Sequence, residues 1–429
     1  MFRSILSKLL FVLAHAYLLR YRPMIIGITG NVGKTSTKEA IAAVLRSSRR
    51  VRASSGNLNN EIGLPLSIVG DWSGEYYDRG PSILFWLKVF AGGILGLVAD
   101  SSYPEILVIE YGADRPGDIK KLASQFHPHI AIVTAVGDVP VHVEYFNGPD
   151  GVASEKANLV KALSPKGYAV LNHEDSRVLH MQSSTKAQVW TYGLDQESRV
   201  YASNVELLFE DEKPSGVVFK LHHAARFVPV KMRGSLGRSQ ALSAAAAAVV
   251  GIILGINLIE ISEALGRYSG PNGRLKILRG VKDSLIIDDT YNAAPASMRL
   301  ALETLESIPS GRKIAVLGNM LELGNYSYEA HQAIGNLAGE VADILICVGD
   351  KGKVIADSAG NQMSKENIYT FENSVQAKAK VQELIQAGDI VLVKGSQGMR
   401  MERVVEEIMA HPENKKELLV RQSKKWQNT

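Results

Sequence analysis

Short apolar runs punctuated by glycine recur along the chain, with amphipathic stretches between them. Residues 24–28, 106–109 and 130–136 are almost unbroken in aliphatic side chains. Runs of this length without alternation predict strands covered on both faces, as in a parallel sheet. After the first run, Ala40, Ile41, Val44 and Leu45 fall on one face of a helix, and residues 152–163 predict another. A β segment is expected around residues 217–230, before an alanine-rich helix at 242–254. From about residue 270, apolar runs at 285–287, 314–317, 344–348 and 390–393 alternate with helical stretches. Such β–α alternation predicts a second doubly wound sheet. The fold class is therefore α/β, with a central domain over residues 23–269 and a second domain over 270–429. The basic, polar tail at 415–429 is expected to fray.

Two longer apolar stretches depart from this rhythm. Residues 5–19 are interrupted only by Ser7, Lys8 and His15, with Arg3, Arg20 and Arg22 at the edges. The run is shorter than the about 20 residues of a bilayer span. No small-residue cleavage site precedes Arg20-Tyr21-Arg22-Pro23, which counts against a signal peptide. Ser4, Ser7, Lys8, His15 and Arg22 predict a narrow polar stripe, so residues 1–22 form an amphipathic helix that either packs against the protein or lies on a membrane. Residues 83–99 carry one charge, Lys88, and Gly92, Gly93 and Gly96 weaken them as a free-standing helix. Alone this stretch reads as a buried helix; paired with 5–19 it raises a peripheral membrane contact, and both readings stay open.

Composition narrows the class. The 429 residues are 46% hydrophobic and 21% charged, without low-complexity tracts, which excludes disordered, collagenous and disulfide-rich scaffolds. Forty-eight Lys and Arg against 44 Asp and Glu leave +4, too little to mark a nucleic-acid partner. The single cysteine, Cys347, excludes an internal disulfide or a multi-cysteine metal site and fits a reducing, cytoplasmic setting.

The chemistry begins at Gly27-Ile28-Thr29-Gly30-Asn31-Val32-Gly33-Lys34-Thr35-Ser36, between a predicted strand and a predicted helix. Strand, glycine-rich loop and helix together make a phosphate loop. Backbone N–H groups from Gly30 to Ser36 would cradle phosphate oxygens at the helix N-terminus. Lys34 would reach the β/γ-phosphates of ATP, and the Thr35 hydroxyl would hold Mg²⁺. Glu110, at the C-terminal end of the 106–109 strand, is placed to bind the same ion. Ile28 stands where the common pattern has glycine.

This variant loop resembles the ATP loop of the Mur ligases, which join amino acids or peptides to a carboxylate. Further segments resemble the family in order: residues 56–66 (GNLNNEIGLPL), 110–119 (EYGADRPGDI), 142–146 (HVEYF), 273–275 (GRL), 288–293 (DDTYNA), 316–324 (VLGNMLELG) and 393–402 (VKGSQGMRME). They point to the MurF type, which adds D-alanyl-D-alanine in peptidoglycan synthesis. The resemblance implies a P-loop ATPase domain followed by a Rossmann-like C-terminal domain. It also implies that ATP phosphorylates a peptidyl carboxylate and that an amine, an amino acid or dipeptide, displaces the phosphate. His142 and Lys156 would hold a second Mg²⁺, Lys156 as a carbamate; Arg274 would contact phosphate, Asp289 the ribose and Gln240 the adenine. Asn57, Asn59, Asn60, Asn292 and Lys394 would contact the peptide substrates, although asparagine is also a good turn residue.

Four departures accompany the resemblance. Only about 23 residues precede the loop, so the family's N-terminal UDP-binding domain is not expected in this sequence. An apolar insertion occupies about residues 71–103. The family's G-R-H-N-x-x-N segment reads Gly234-Ser235-Leu236-Gly237-Arg238-Ser239-Gln240, with Gly237 in place of an asparagine. Asn319 replaces an aspartate. The first two suggest a small-molecule or lipid-linked peptidyl precursor met at the inner face of a membrane, with contact through residues 5–19 and 83–99. A non-catalytic ATP-binding relative, or a ligase for polyglutamate, cyanophycin or pseudomurein, is the alternative; retention of Lys34, Thr35, Glu110, His142 and Lys156 favours catalysis.

Overall fold

The computed structural model describes residues 2–54, 56, 58–99 and 102–427. Met24–Thr29 is flanked in parallel by Ile106–Glu110 and Ile130–Val133, and its interior residues are covered on both faces, which is why the run is unbroken in apolar side chains. These strands belong to a nine-stranded sheet in the order Val51–Ala53, Ile106–Glu110, Met24–Thr29, Ile130–Val133, Tyr168–Asn172, Gln188–Gly193, Val200–Glu210, Lys213–His223 and Arg226–Arg233. The pairings are parallel as far as Val200–Glu210, and the last three strands form an antiparallel meander. The β segment expected at 217–230 is thus parts of two strands, joined by a turn in which Ala224 takes φ 52°.

The expected strand 130–136 stops at Val133, because Asp175 Oδ2 accepts from the N–H groups of Val136 (2.8 Å) and Gly137 (2.9 Å) and turns the chain away. The helix expected at 152–163 runs over Gly148–Lys161. The alanine-rich helix runs over Arg238–Ile253, and its small side chains are buried where it packs on helix Lys34–Leu45 and the sheet.

A six-stranded sheet follows, ordered Lys276–Arg279, Leu285–Asp289, Ile390–Lys394, Lys313–Gly318, Ile344–Val348 and Ile368–Phe371, parallel except for its first strand. The two outer strands are half-exposed and so lack the apolar signature that marks the inner four. The sheets are joined through 234–236, where Leu236 N–H donates to Leu275 O (2.9 Å) and Ile277 N–H to Gly234 O (3.0 Å).

Helix Phe2–Tyr21 packs through Leu6, Leu10, Leu13, Ala14 and Tyr17 against Gly63–Val69 and Ile83–Ala99. Of the expected polar stripe, Lys8 and Arg22 are exposed, whereas Ser7 and His15 are half-buried. Ser7 donates to Glu61 O (3.4 Å) and the His15 ring bonds Phe11 O (2.8 Å), while Ile5, Leu9, Val12 and Leu19 face outward. Nor is Ile83–Ala99 simply a buried helix. Phe85, Trp86, Val89 and Gly93 are buried, and Ile83, Leu84, Leu87, Ile94, Leu95 and Val98 are exposed. The glycines that weaken it in isolation permit its docking. A Cβ at Gly93 would lie 2.7 Å from Leu13 Cδ2 and 2.9 Å from Val69 Cγ1, and one at Gly96 would lie 2.5 Å from the Tyr17 hydroxyl. Tyr17 and Tyr21 instead donate to Gly93 O (2.7 Å) and Gly96 O (2.6 Å). No helix among the described residues is long and apolar enough to cross a membrane.

The tail is tied down rather than frayed as far as it is described. The Arg421 guanidinium meets the buried Glu402 carboxylate at 2.9 Å and donates to Tyr291 O (2.9 Å) and Thr290 O, which satisfies a charge that would otherwise keep the segment in water. Helix Lys424–Gln427 then lies against Ser73–Arg79.

Gly93→Val is expected to cost about 1–2 kcal/mol by overpacking the helix seam. Gly74→Ala, where a Cβ meets nothing within 4 Å, should be neutral or stabilising. Thermal unfolding of both variants checks this; equal midpoints would mean that the seam tolerates the added methyls.

Candidate active site

The C-terminal edges of the two sheets face one another across a cleft of about 530 Å³. On one side stands the loop after Met24–Thr29. Gly30 takes φ 145° and a Cβ there would meet Thr134 Oγ1 at 1.9 Å, so the close turn admits only glycine; Gly33 takes φ 87° at the helix N-cap. Asn31 N–H donates to Ala135 O (2.6 Å) and Asn31 Nδ2 to Val141 O (3.3 Å), which fixes the loop to the neighbouring strand. Asn31, Val32, Lys34 and Thr35 line the cleft, whereas Ser36 is buried behind it. Lys34 Nζ folds back onto Gly30 O at 2.7 Å. Burial lowers its pKa, opposed by the charge of Glu110.

Glu110 is buried at the mouth of the adjacent strand, 3.1 Å from Lys38 Nζ, and its Oε1 has no hydrogen-bond partner of proper geometry. Burial pushes its carboxyl up, but Lys38 and Lys34 outweigh this and hold it below the usual range. Lys38 is itself fully buried; burial alone would lower it, and Glu110 with Glu39 raises it instead. It also donates to Ser54 O, so it clamps the ends of neighbouring strands. Sequence reading missed Lys38, although its place one turn beyond Lys34 on the same helix face was a usable signal.

His142, in the left-handed region at φ 68°, sets Nδ1 3.0 Å from Glu322 Oε2 and Nε2 3.6 Å from Asp114 Oδ1. Glu322 belongs to the second sheet's side, so this contact bridges the cleft; its carboxyl is held low by His142, against burial. Neither carboxylate was singled out from sequence. Lys156 is buried behind this wall, without a hydrogen bond or ion pair among the described residues. Burial, reinforced by the charge of Lys34, lowers its pKa well below the usual lysine value. The neighbouring Glu155, also missed, accepts from Gly117 N–H (2.9 Å) and Ile119 N–H (2.7 Å) and caps helix Asp118–Gln125.

Across the cleft, Arg274 stacks its guanidinium 4.0 Å from the Tyr291 ring, and its buried Nε has no hydrogen-bond partner. Asn292 lines the cleft, yet its Oδ1 accepts from Ala293 N–H (2.9 Å) and Gln397 N–H (3.3 Å), as a turn asparagine does. Asn60 caps its own helix through Ile62 N–H (3.1 Å) and Gly63 N–H (3.0 Å) while facing the cleft; Asn59 faces it too, and Asn57 lies outside the described residues. Trp426, carried in by the anchored tail, also lines the cleft.

Three expected contact residues are not presented to the cleft. Asp289 and Lys394 are buried against each other at 2.6 Å, with Lys394 also donating to Asn292 O (2.9 Å). Their expected contacts to ribose and acceptor would require this pair to open. Gln240 is buried, donating to Arg274 O (3.4 Å), with Oε1 left unpartnered.

The sequence profile of the Mur ligase middle domain matches residues 28–71 and 96–251, and that of the Mur ligase glutamate ligase domain matches 273–397. The unmatched gap, residues 72–95, spans helix Ser73–Arg79 and most of helix Ile83–Ala99. The UDP-N-acetylmuramoyl-tripeptide–D-alanyl-D-alanine ligase of Mycobacterium leprae is 31% identical, over 87% of this chain and 71% of that one. The ligase of the same name from Bacillus subtilis is 28% identical, over 93% of this chain and 79% of that one. The crystal structure of MurF ligase from Thermotoga maritima in complex with ADP superposes with a TM-score of 0.76 at 26% identity, covering 94% of this chain and 83% of that one.

Asp288, near the C-terminal end of strand Leu285–Asp289, is fully buried with Oδ2 unpartnered, and burial pushes its pKa up to about 6. Between an ordinary value near about 4 and this raised value, the folded state keeps a proton that the unfolded chain has released. Stability from this group therefore falls as pH rises through that window, by about 3 kcal/mol. Asp288→Asn should remove the slope and be the more stable form above it. Urea midpoints on either side of the window test this; parallel wild-type and variant curves would refute it.

Proposed function

The chain belongs to the Mur ligase family of ATP-dependent, ADP-forming ligases, and from that premise we propose that it joins a peptidyl carboxylate of a cell-wall precursor to D-alanyl-D-alanine. The observation that carries this reading is the cleft itself. It sets a phosphate loop with Lys34, Thr35 and Glu110 opposite Arg274, Tyr291 and Asn292 of the second sheet's side. A phosphoryl donor on one wall and an amine acceptor from the other would meet there.

In the first step a donor carboxylate oxygen attacks the γ-phosphorus of ATP, the bond to the β-phosphate oxygen breaks, and ADP leaves. The acyl phosphate is then attacked at carbon by the acceptor amine, which loses a proton as phosphate departs with the C–O electron pair. Lys34 exchanges its contact with Gly30 O for phosphate oxygens, whose negative charge restores the pKa that burial lowers. Arg274, held flat by Tyr291, offers its free Nε–H to an anionic oxygen. Domain approach across the His142–Glu322 contact would position the reactants.

Mg²⁺ fits the near wall. Glu110 Oε1 lies 3.1 Å from the Lys38 ammonium without a hydrogen bond of proper geometry, Glu110 and Thr35 both line the cleft, and Mg²⁺ characteristically takes few protein ligands alongside phosphate and water. When bound, the ion would neutralise phosphate charge. Among the described residues no three His, Cys, Asp or Glu side chains converge as a metal site. A second ion would therefore need Lys156 as a carbamate beside His142. The burial of Lys156 and its lack of a partner favour the neutral amine that adds to CO₂, forming N–C and releasing a proton.

The carrier of the donor peptide is either soluble UDP or a lipid. The lipid-linked reading, with the enzyme at the inner face of a membrane, is supported by the exposed apolar face of Phe2–Tyr21 and Ile83–Ala99.

With ATP, UDP-linked tripeptide and D-alanyl-D-alanine, mass spectrometry should detect the amide product, and Lys34→Ala should slow its formation by about 100- to 1,000-fold. ADP release without amide product across soluble and lipid-linked donors would leave only a nucleotide-binding relative. Separately, ¹³C-bicarbonate should give a lysine carbamate resonance that Lys156→Met abolishes; an unlabelled, fully active Lys156→Met enzyme would rule the carbamate out.

A further inference from the structure

Helices Phe2–Tyr21 and Ile83–Ala99 lie side by side and turn apolar side chains outward together. On the first, Ile5, Leu9, Val12 and Leu19 follow the spacing of one helix face; on the second, Ile83, Leu87, Ile94 and Val98 do, with Leu84 and Leu95 beside them. Val12 is 70% exposed, Leu84 76% and Leu95 69%. Among the described residues eighteen large hydrophobic side chains are exposed, and ten of them lie on these two helices. The exposed apolar surface is therefore concentrated, which is how interaction sites differ from ordinary scattered exposure.

The charges carried by the two helices themselves share one sign. Neither helix contains Asp or Glu. Lys8, Arg20 and Arg22 are exposed at its margins, and Lys88 is paired with Glu75 at 2.5 Å. A second copy seated on this face would bring two basic margins together. A bilayer with anionic headgroups would instead complement them while taking up the apolar stripe. Spanning is excluded, since no described helix is long and apolar enough.

We propose that this two-helix face is a docking surface for an anionic phospholipid bilayer, with both helices lying in the headgroup–acyl boundary. The platform is wired to the cleft. Ser7 of the first helix donates to Glu61 O, next to Asn59 and Asn60, which line the cleft. Helix Ser73–Arg79, immediately before the second platform helix, contacts the tail helix that carries Trp426 into the cleft. A peptide whose carrier stays in the bilayer would thus enter from the platform side; this last step rests on the ligase reading, whereas the docking surface does not.

Flotation of the full chain with vesicles tests the surface. With mixed phosphatidylglycerol–phosphatidylcholine vesicles the protein should float, and it should do so less at high salt or with phosphatidylcholine alone. The double variant Val12→Asp/Leu95→Asp should lose partitioning by about tenfold or more while keeping its thermal midpoint and ATP binding. A wild type that stays at the bottom with both vesicle types overturns the proposal. So does a concentration-dependent dimer, abolished by the same double variant, without vesicle binding. Ligation assayed in parallel with UDP-linked and vesicle-embedded donors separates the two readings. Soluble-donor activity without flotation sinks only the platform, and flotation without any ligation sinks only the ligase.

Discussion

Lys38 cannot leave Glu110 without stranding a charge in the core, and much of the active-site geometry follows from that constraint. Breaking such a buried pair typically costs about 3–5 kcal/mol. Lys38 rides on the phosphate-loop helix, Glu110 ends the adjacent strand, and Ser54 O, next to the strand beyond, takes another of its hydrogen bonds. Three sequence-distant segments are thereby held in register under the cleft. The second sheet repeats the device with Asp289 and Lys394, on neighbouring parallel strands at its own C-terminal edge. Each wall of the cleft is thus braced by one buried lysine–carboxylate pair, while Lys34 and Arg274 line the space between them.

Two departures from the family pattern have local physical reasons. Gly237 takes φ 91°, and a Cβ there would lie 2.7 Å from Thr304 Oγ1 and 2.8 Å from Leu275 Cδ1, so no asparagine side chain fits this backbone. Asn319 donates through Nδ2 to Asp350 Oδ1 at 2.5 Å and accepts from Lys351 N–H at 3.2 Å. An aspartate at that position would face a second carboxylate instead of bonding it. Both changes are accommodated by their neighbours, and neither disturbs the phosphate loop.

The platform illustrates how helix propensity and packing can pull in opposite directions. Gly92, Gly93 and Gly96 lower the stability of an isolated helix, but they sit where Trp72, Leu13 and Tyr17 make their closest approach. Close contact on that side turns the remaining aliphatic residues outward, so a helix with a single charge ends up half-exposed.

The inner strands, the phosphate loop and the cleft-facing Lys34, Thr35 and Glu110 were legible because each is written in contiguous residues: an apolar run, a glycine turn, a strand-terminal acid. The half-exposed outer strands were not, since their burial depends on neighbours. Sequence by itself determined the α/β class, the family and the nucleotide loop, for backbone-level signals survive without knowledge of contacts. Tertiary structure alone decided that Lys38 pairs with Glu110, that Lys394 is spent on Asp289, that Arg421 brings Trp426 to the cleft, and which face of two largely apolar helices looks outward. A charge or an apolar side chain acquires its role from what lies across from it, and that partner is fixed by packing between segments far apart in the chain.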